Sequence, residues 1–305
     1  MNLIVQPGSG VGPVLTAIRK ASKSIDIMIF RLDIQDMRKA LAAAVARGVN
    51  VRALIAHTNR GGEKTLRKLE QALLETGVTV SRTGDDFVRY HGKMMIVDEK
   101  VLHVYGFNFT WLDIERSRGF GLMTRHKRLV QEAMKVFEAD SARQPYVGAY
   151  DRFVVSPENA RDRLTALIKG ARKQLLIYDP KISDPALLRI LKARAKAGVE
   201  VRVIGKVAGA PGDVIAEKYP GKRLHVRAIV QDGRKLFLGS QSLRKLELDK
   251  RREVGVIVDD KKAILEVTRV FEADWALTPS GKAGTEADAT EKGAEKELEE
   301  LTVSA

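Results

Sequence analysis

Cysteine is absent from the 305 residues. Its absence excludes disulfides, zinc–thiolate sites and thiol nucleophiles, and it leaves the redox compartment open. No secretory leader is expected either. The opening Met1-Asn2-Leu3-Ile4-Val5-Gln6 has no basic stretch followed by a long apolar one. No apolar run approaches the roughly 18–20 residues that a membrane-spanning helix needs. The expected location is therefore the cytoplasm, which still allows peripheral contact with an anionic membrane.

Positive charge, by contrast, is plentiful. The formal net charge is +14, and it is unevenly spread. Residues 278–305 hold seven acidic side chains and three lysines, which leaves +18 on residues 1–277. Such a surface attracts polyanions, whether nucleic acid, anionic lipid headgroups or a phosphorylated substrate. Extra Lys and Arg also serve solubility alone, so charge supports a phosphate substrate without establishing one. The segment after Leu277, rich in Gly, Ala, Thr and Glu, is expected to be disordered.

The chain repeats itself. Ser24-Ile25-Asp26-Ile27-Met28-Ile29-Phe30 resembles Gln174-Leu175-Leu176-Ile177-Tyr178, and Gly48-Val49-Asn50-Val51-Arg52 resembles Gly198-Val199-Glu200-Val201-Arg202, at a shift of 150. Further on, Val136-Phe137-Glu138-Ala139-Asp140 matches Val270-Phe271-Glu272-Ala273-Asp274 at a shift of 134. The first copy therefore holds 16 extra residues between Arg52 and His91, assigned to a helix over 63–77. Val14, Leu15 and Ile18 recur at helical spacing, and Ile25, Ile27 and Ile29 alternate as in a strand. Pro157 and Pro185 are placed at helix starts. Gly48, Gly77 and Gly198 are placed at helix ends. Alternating strands and helices predict an α/β fold of two tandem repeats, each a mixed sheet flanked by helices, with sites at the carboxyl ends of strands. The expected division is 1–145, 146–277 and a tail over 278–305, with 141–151 as the join.

Both copies carry a His, a cation two residues later and an Asp five beyond that: His91, Lys93 and Asp98, then His225, Arg227 and Asp232. On a strand, His91 and Lys93 point to one face, so an imidazole and a cation converge there. A lone His-x-Lys pair is usually a pair of surface strand residues. Recurrence at equivalent places in a duplicated fold lifts this one above that reading. Each Asp is followed by a polar turn, Tyr105-Gly106-Phe107-Asn108 and Gly239-Ser240-Gln241-Ser242, and eleven residues later by Gly119 or Glu253.

These spacings resemble the phospholipase D superfamily, whose signature is His-x-Lys-x4-Asp followed by Gly-Ser-x-Asn. Arg252-Glu253-Val254-Gly255 resembles its downstream element, and the likeness covers residues 1–277. The resemblance implies one active site at the interface of the repeats, and two-histidine, ping-pong chemistry that needs neither cofactor nor metal. His91 is assigned as the nucleophile that forms a phosphohistidine, and His225 as the general acid. Lys93, Arg227 and Asn108 would hold the nonbridging oxygens, with Ser240, Ser242 and Glu253 also contributing to substrate binding. Asp98, Asp232 and Glu253 would fix imidazole tautomers. The sequence departs from the pattern at Arg227 (for Lys), Ser242 (for Asn), Tyr105-Gly106 (for Gly-Ser) and Gly119 (for Glu). The copies nevertheless complement each other, since the first supplies Lys93 and Asn108 and the second Ser240 and Glu253.

Other signals point elsewhere and are set aside. Gly8-Ser9-Gly10-Val11-Gly12 lacks the dinucleotide spacing because Pro13 stands at the third glycine. His57, His103 and His126 have no partner spacing, and Asp85-Asp86 alone makes no metal site. Arg116, Arg118, Arg244, Lys245, Lys250, Arg251 and Arg252 follow the polar turns, as a solvated loop or an anion-collecting rim. A phospholipid headgroup is the expected substrate. A nucleic acid, or a weakened site that only binds phosphodiesters, are the alternatives.

Overall fold

The computed structural model describes residues 1–58, 63–148, 150–209 and 212–283. In the first repeat the order is β1 (Asn2–Gln6), α1 (Gly12–Lys20), β2 (Ser24–Ile29), α2 (Gln35–Ala46), β3 (Asn50–Ile55), α3 (Glu63–Leu74), β4 (Thr79–Arg82), β5 (Arg89–Tyr90), β6 (Met94–Val97), β7 (Val101–Tyr105), α4 (Trp111–Arg116), β8 (Gly119–Thr124) and α5 (Lys127–Ser141). The second repeat contains β9 (Phe153–Ser156), α6 (Ala160–Lys169), β10 (Gln174–Ile182), α7 (Pro185–Lys196), β11 (Glu200–Val207), β12 (Ile215–Glu217), β13 (Ala228–Gln231), β14 (Lys235–Gly239), α8 (Lys245–Asp249), β15 (Arg251–Val258) and α9 (Lys261–Trp275).

Each repeat is a mixed sheet, as the alternating pattern predicts. The first runs β1-β8-β7-β6-β2-β3-β4 and the second β12-β11-β10-β13-β14-β15, with β9 paired to β15. The division between repeats is not strict, because β5 of the first repeat pairs in parallel with β15 of the second. Strands β2 and β10 are largely buried on both faces, and each lies parallel to its next strand and antiparallel to the one carrying the motif. This all-round burial is what a sheet covered on both sides requires. Helices α1 and α2 cover the outer face of the first sheet around Val14, Ile18, Met37 and Leu41. Helices α6 and α7 do the same for the second around Leu164, Ile168, Leu187 and Leu191. A central core joins both sheets with α5 and α9 through Phe120, Phe137, Tyr178, Leu238, Phe271 and Trp275.

The extra residues of the first copy do form a helix, α3, which ends at Leu74, before Gly77. Gly48, Gly77 and Gly198 each follow a helix with φ near +80°, a conformation that costs a side chain dearly. Pro185 is the first residue of α7, but Pro157 stands in the turn between β9 and α6 rather than at a helix start. Thr278 is buried, its hydroxyl donating to Trp275 O at 2.7 Å, and residues 279–283 are helical. The acidic segment expected to be disordered is therefore ordered at its beginning, and 284–305 lie outside the described residues. Among the described residues no helix is long and apolar enough to cross a membrane.

Candidate active site

The two motifs stand just before β6 and β13, in extended chain rather than within a strand as expected. The antiparallel pairings Met28 with Met94 and Tyr178 with Ala228 place them at the carboxyl ends of β2 and β10. Two reciprocal backbone bonds lock them together. His91 N donates to Arg252 O at 2.8 Å, and His225 N donates to Arg118 O at 2.9 Å. Because 118 and 252 are equivalent positions, each repeat holds the other's histidine. Reciprocal ion pairs brace the same contact: Arg252 with Asp140 at 2.9 Å and Arg118 with Asp274 at 2.8 Å. These two arginines are thus structural and do not form an anion-collecting rim.

His91 and His225 are only 6% and 8% exposed, and Lys93 and Arg227 are buried beside them. Nδ1 of His91 meets both carboxylate oxygens of Glu253, at 3.0 and 2.8 Å. Nδ1 of His225 lies 3.2 Å from Asp113 Oδ2. That carboxylate also accepts from the Asn108 backbone N–H and side-chain amide, at 2.8 and 2.7 Å, and pairs with Arg223. Each imidazole is therefore oriented by a carboxylate from the other repeat, which leaves both Nε2 atoms for substrate.

Asp113 is the residue that the motif reading missed. Its counterpart, 134 residues later, is Glu247, which accepts from the Ser242 N–H at 2.8 Å just as Asp113 accepts from Asn108. An acidic residue five after each polar turn was a usable signal. Asp113 serves His225 because the first repeat has Gly119 where the second has Glu253. A Cβ there would sit 3.1 Å from Phe107 Cβ, so an aromatic side chain fills the space of the missing carboxylate.

Asp98 and Asp232 correct the expectation that they would orient imidazoles. Both stand at the far end of the strand from the cation, five residues or about 16 Å along extended chain. Both take left-handed φ values, 53° and 52°. Asp98 accepts N–H bonds from Ser22, Lys23 and Ser24 at 2.7–3.1 Å, and Asp232 accepts from Arg172, Lys173 and Gln174 at 2.8–3.1 Å. Partial burial alone would raise both carboxyls, but these N–H bonds outweigh it and hold them below their ordinary range. They clamp the hairpin turn to the chain entering β2 and β10.

The remaining candidates lie close together. Lys93 Nζ donates to His91 O at 2.6 Å and sits 5.2 Å from the centre of the Phe30 ring. That ring meets the His91 ring edge-on, with centroids 4.5 Å apart. Arg227 Nε donates to Ser242 Oγ at 3.2 Å, while its Nη1 is buried with no hydrogen-bond partner. Ser240 Oγ bonds the Val254 backbone and steadies β15 beside Glu253. Among the described residues no group of three or more His, Asp or Glu side chains is placed to hold a metal ion.

Burial dominates the protonation of the site. It lowers His91 well below its ordinary value, with help from the Lys93 and Arg227 charges. It lowers His225 to about 4 against the opposing pull of Asp113, and Lys93 to about 7 against that of Glu253. Burial raises Glu253. It would raise Asp113 too, but the contacts with His225, the Asn108 N–H and Arg223 prevail and hold it well below the carboxylate range. Both imidazoles are thus neutral when the site is empty, and a bound phosphate would favour the protonated form of either.

A family model described as cardiolipin synthase, PLD-like domain, matches residues 14–141 and 164–275, one segment in each repeat. The chain belongs to this family. It is therefore a member of the phospholipase D superfamily, whose fold its two repeats reproduce. A curated polyphosphate kinase of Pseudomonas syringae is 22% identical over 92% of this chain and 43% of its own length, so the chain spans less than half of that relative. The crystal structure of a polyphosphate kinase from Porphyromonas gingivalis aligns at a TM-score of 0.74 and 19% identity, over 89% of this chain and 46% of that one. A phosphatidylserine synthase of Haemophilus influenzae aligns at 0.70 and 12%, over 90% of this chain and 86% of that one. At such identities the likeness is one of fold, shared by phosphoryl-transfer proteins of different names.

Proposed function

We propose that this protein is a phosphodiesterase of the phospholipase D type that cleaves or transfers phospholipid headgroups through a phosphohistidine on His91. The carrying observation is the pairing of two buried imidazoles, each braced by the other repeat's carboxylate, with two buried cations. His91 Nε2 attacks phosphorus, the bond to the leaving alcohol breaks, and His225, which the bound phosphate favours in its protonated form, supplies that oxygen's proton. His225 then takes the proton of water or an acceptor alcohol, whose oxygen displaces His91. Lys93 and the unpartnered Arg227 Nη1 face the charge that grows on the nonbridging oxygens. Burial of the cations removes competing water, and the planar guanidinium of Arg227 can grip two oxygens.

The rim favours a lipid. Trp111 and Leu112 on α4 are 55% and 46% exposed, and Leu246 on the equivalent helix α8 is 37% exposed. Arg116 and Lys245 lie on the same two helices, a mixture suited to an anionic interface. A second reading, a polyanionic chain such as nucleic acid or polyphosphate, is supported by the crowding of Arg31, Arg89 and Arg251 near Glu253. Burial and the two neighbouring guanidiniums push Arg89 below its ordinary value.

The test is turnover of a chromogenic phosphodiester in excess EDTA, beside His91→Ala and His225→Ala. Activity that survives chelation and drops at least ~10³-fold in both variants is expected. Activity that needs metal or persists in either variant would overturn the two-histidine reading. Phospholipid vesicles, DNA and polyphosphate, assayed in parallel, then separate the substrates, and binding of either polyanionic chain should weaken steeply with salt to the extent set by its phosphate contacts.

A further inference from the structure

The duplication supplies an internal control for a feature far from the catalytic centre. On the outer face of the first sheet, between α1 and strands β1, β8, β7 and β6, lies a groove of about 590 Å³. The equivalent groove of the second repeat, between α6 and β14–β15, holds about 250 Å³. The difference traces to single positions. Ala17 in the first wall is replaced by Leu167, and His103 in the first floor by Phe237, an ordinary buried core residue. At the second mouth the charges are satisfied internally, Arg152 by Asp259 at 2.8 Å and Arg163 by Asp151.

None of that closure exists in the first repeat. The groove is lined by Lys20, Lys100 and Arg125, all exposed, and among the described residues none of the three is held in an ion pair. Arg125 stands where the second repeat has Asp259. Asp98 also lines the groove, but its oxygens are already taken by the N–H groups of Ser22, Lys23 and Ser24. His103 is 1% exposed, and neither ring nitrogen has a hydrogen-bond partner. A buried imidazole with one donor and one acceptor unused is costly unless something reaches it. Around it the walls are apolar, with Val97, Val101 and Met123 facing Ala17.

We infer that this groove is a second ligand site, which takes a small single-chain amphiphile with a phosphate or carboxylate head. The head lies on Lys20, Lys100 and Arg125, the apolar body covers Val101 and Met123, and an oxygen set back from the head bonds His103. Size, an apolar lining and a few polar groups are what such sites require. The second repeat has lost the site by filling it.

The probe is dodecyl phosphate below its micelle-forming concentration, titrated calorimetrically into the full chain beside inorganic phosphate. Arg125→Asp, at the exposed mouth, should weaken dodecyl phosphate at least tenfold. So should Ala17→Leu combined with His103→Phe, which copies the second repeat, with thermal unfolding to confirm that both variants fold. Lys93→Ala, in the catalytic centre, should leave this binding unchanged. Binding that is lost in Lys93→Ala yet intact in the groove variants would overturn the inference. Equal affinity for inorganic phosphate, or no binding by the wild type, would overturn it as well. None of these outcomes depends on turnover, so they stand apart from any failure of the catalytic reading.

Discussion

The two repeats share a backbone plan but divide the chemistry unequally. The first presents Lys93 and Asn108, and the second presents Arg227, Ser242 and Glu253. His91 is gripped at 2.8 and 3.0 Å by a fully buried carboxylate, whereas His225 has one carboxylate oxygen at 3.2 Å, shared with Asn108, while Arg223 takes the other oxygen of that carboxylate. Tight orientation suits a nucleophile that must point its free nitrogen at phosphorus. Looser pairing suits a group that passes a proton in both directions. The lesson is that a duplicated site need not stay symmetric. Where the first copy has Gly119 in place of the second copy's Glu253, α4 supplies Asp113 instead.

The comparison breaks first at these carboxylates. Glu253→Gln should cost about 10²–10⁴-fold in turnover, because a buried His–carboxylate pair sets tautomer and orientation together. Asp113→Asn should cost less, about 10–100-fold. Steady-state rates with both variants decide it, and equal losses would erase the distinction between the histidines.

The cations come next. Lys93 loses its proton as pH rises past about 7, so kcat/KM should fall about tenfold per pH unit above that point. The fall on the acid side, as His91 becomes protonated, completes a bell. Lys93→Arg should carry the alkaline limb upward, since a guanidinium stays charged. A pH–rate profile with an unmoved limb would remove Lys93 from the chemistry.

His103 against Phe237 gives a smaller effect, on stability. Burial lowers His103 to about 4 in the folded chain, while unfolded histidine titrates at about 6.5. Between those values the unfolded chain binds more protons, so stability falls as pH drops from 6.5 to 4 and is flat below. The loss amounts to about 3 kcal/mol. His103→Phe should abolish this component, as urea unfolding at pH 7 and pH 4.5 would reveal.

Smallest are the turn clamps. Asp98→Ala or Asp232→Ala should each destabilise by about 1–2 kcal/mol through lost N–H bonds. Neither should alter the shape of the pH–rate profile. A changed profile would return these aspartates to the catalytic role that their motif position suggested.

Much of this was legible before any coordinates. The shifts of 150 and 134 revealed the duplication, and alternating and helical spacings gave the order of strands and helices. The recurring His and cation marked the centre of the site, because equivalent residues in a duplicated fold occupy equivalent places. Asp98 was misread because spacing records membership of a motif and not direction. Five residues along a strand carry a side chain to the opposite end of the sheet.

Asp113 went unread for the opposite reason. It lies outside the matched motif, and although its recurrence as Glu247 marked it as a repeated acid, only the packing of α4 beside the other repeat brings it to His225. By itself the sequence determined the repeat, the mixed sheets and the pair of histidines, which follow from local periodicity and internal likeness, and the family, which follows from the resemblance of its spaced motif to a known signature. Only the tertiary structure decided which carboxylate serves which imidazole and which cations are buried. It also left one groove open where its twin is filled. These are properties of contacts between residues far apart in the chain, and no local pattern encodes them.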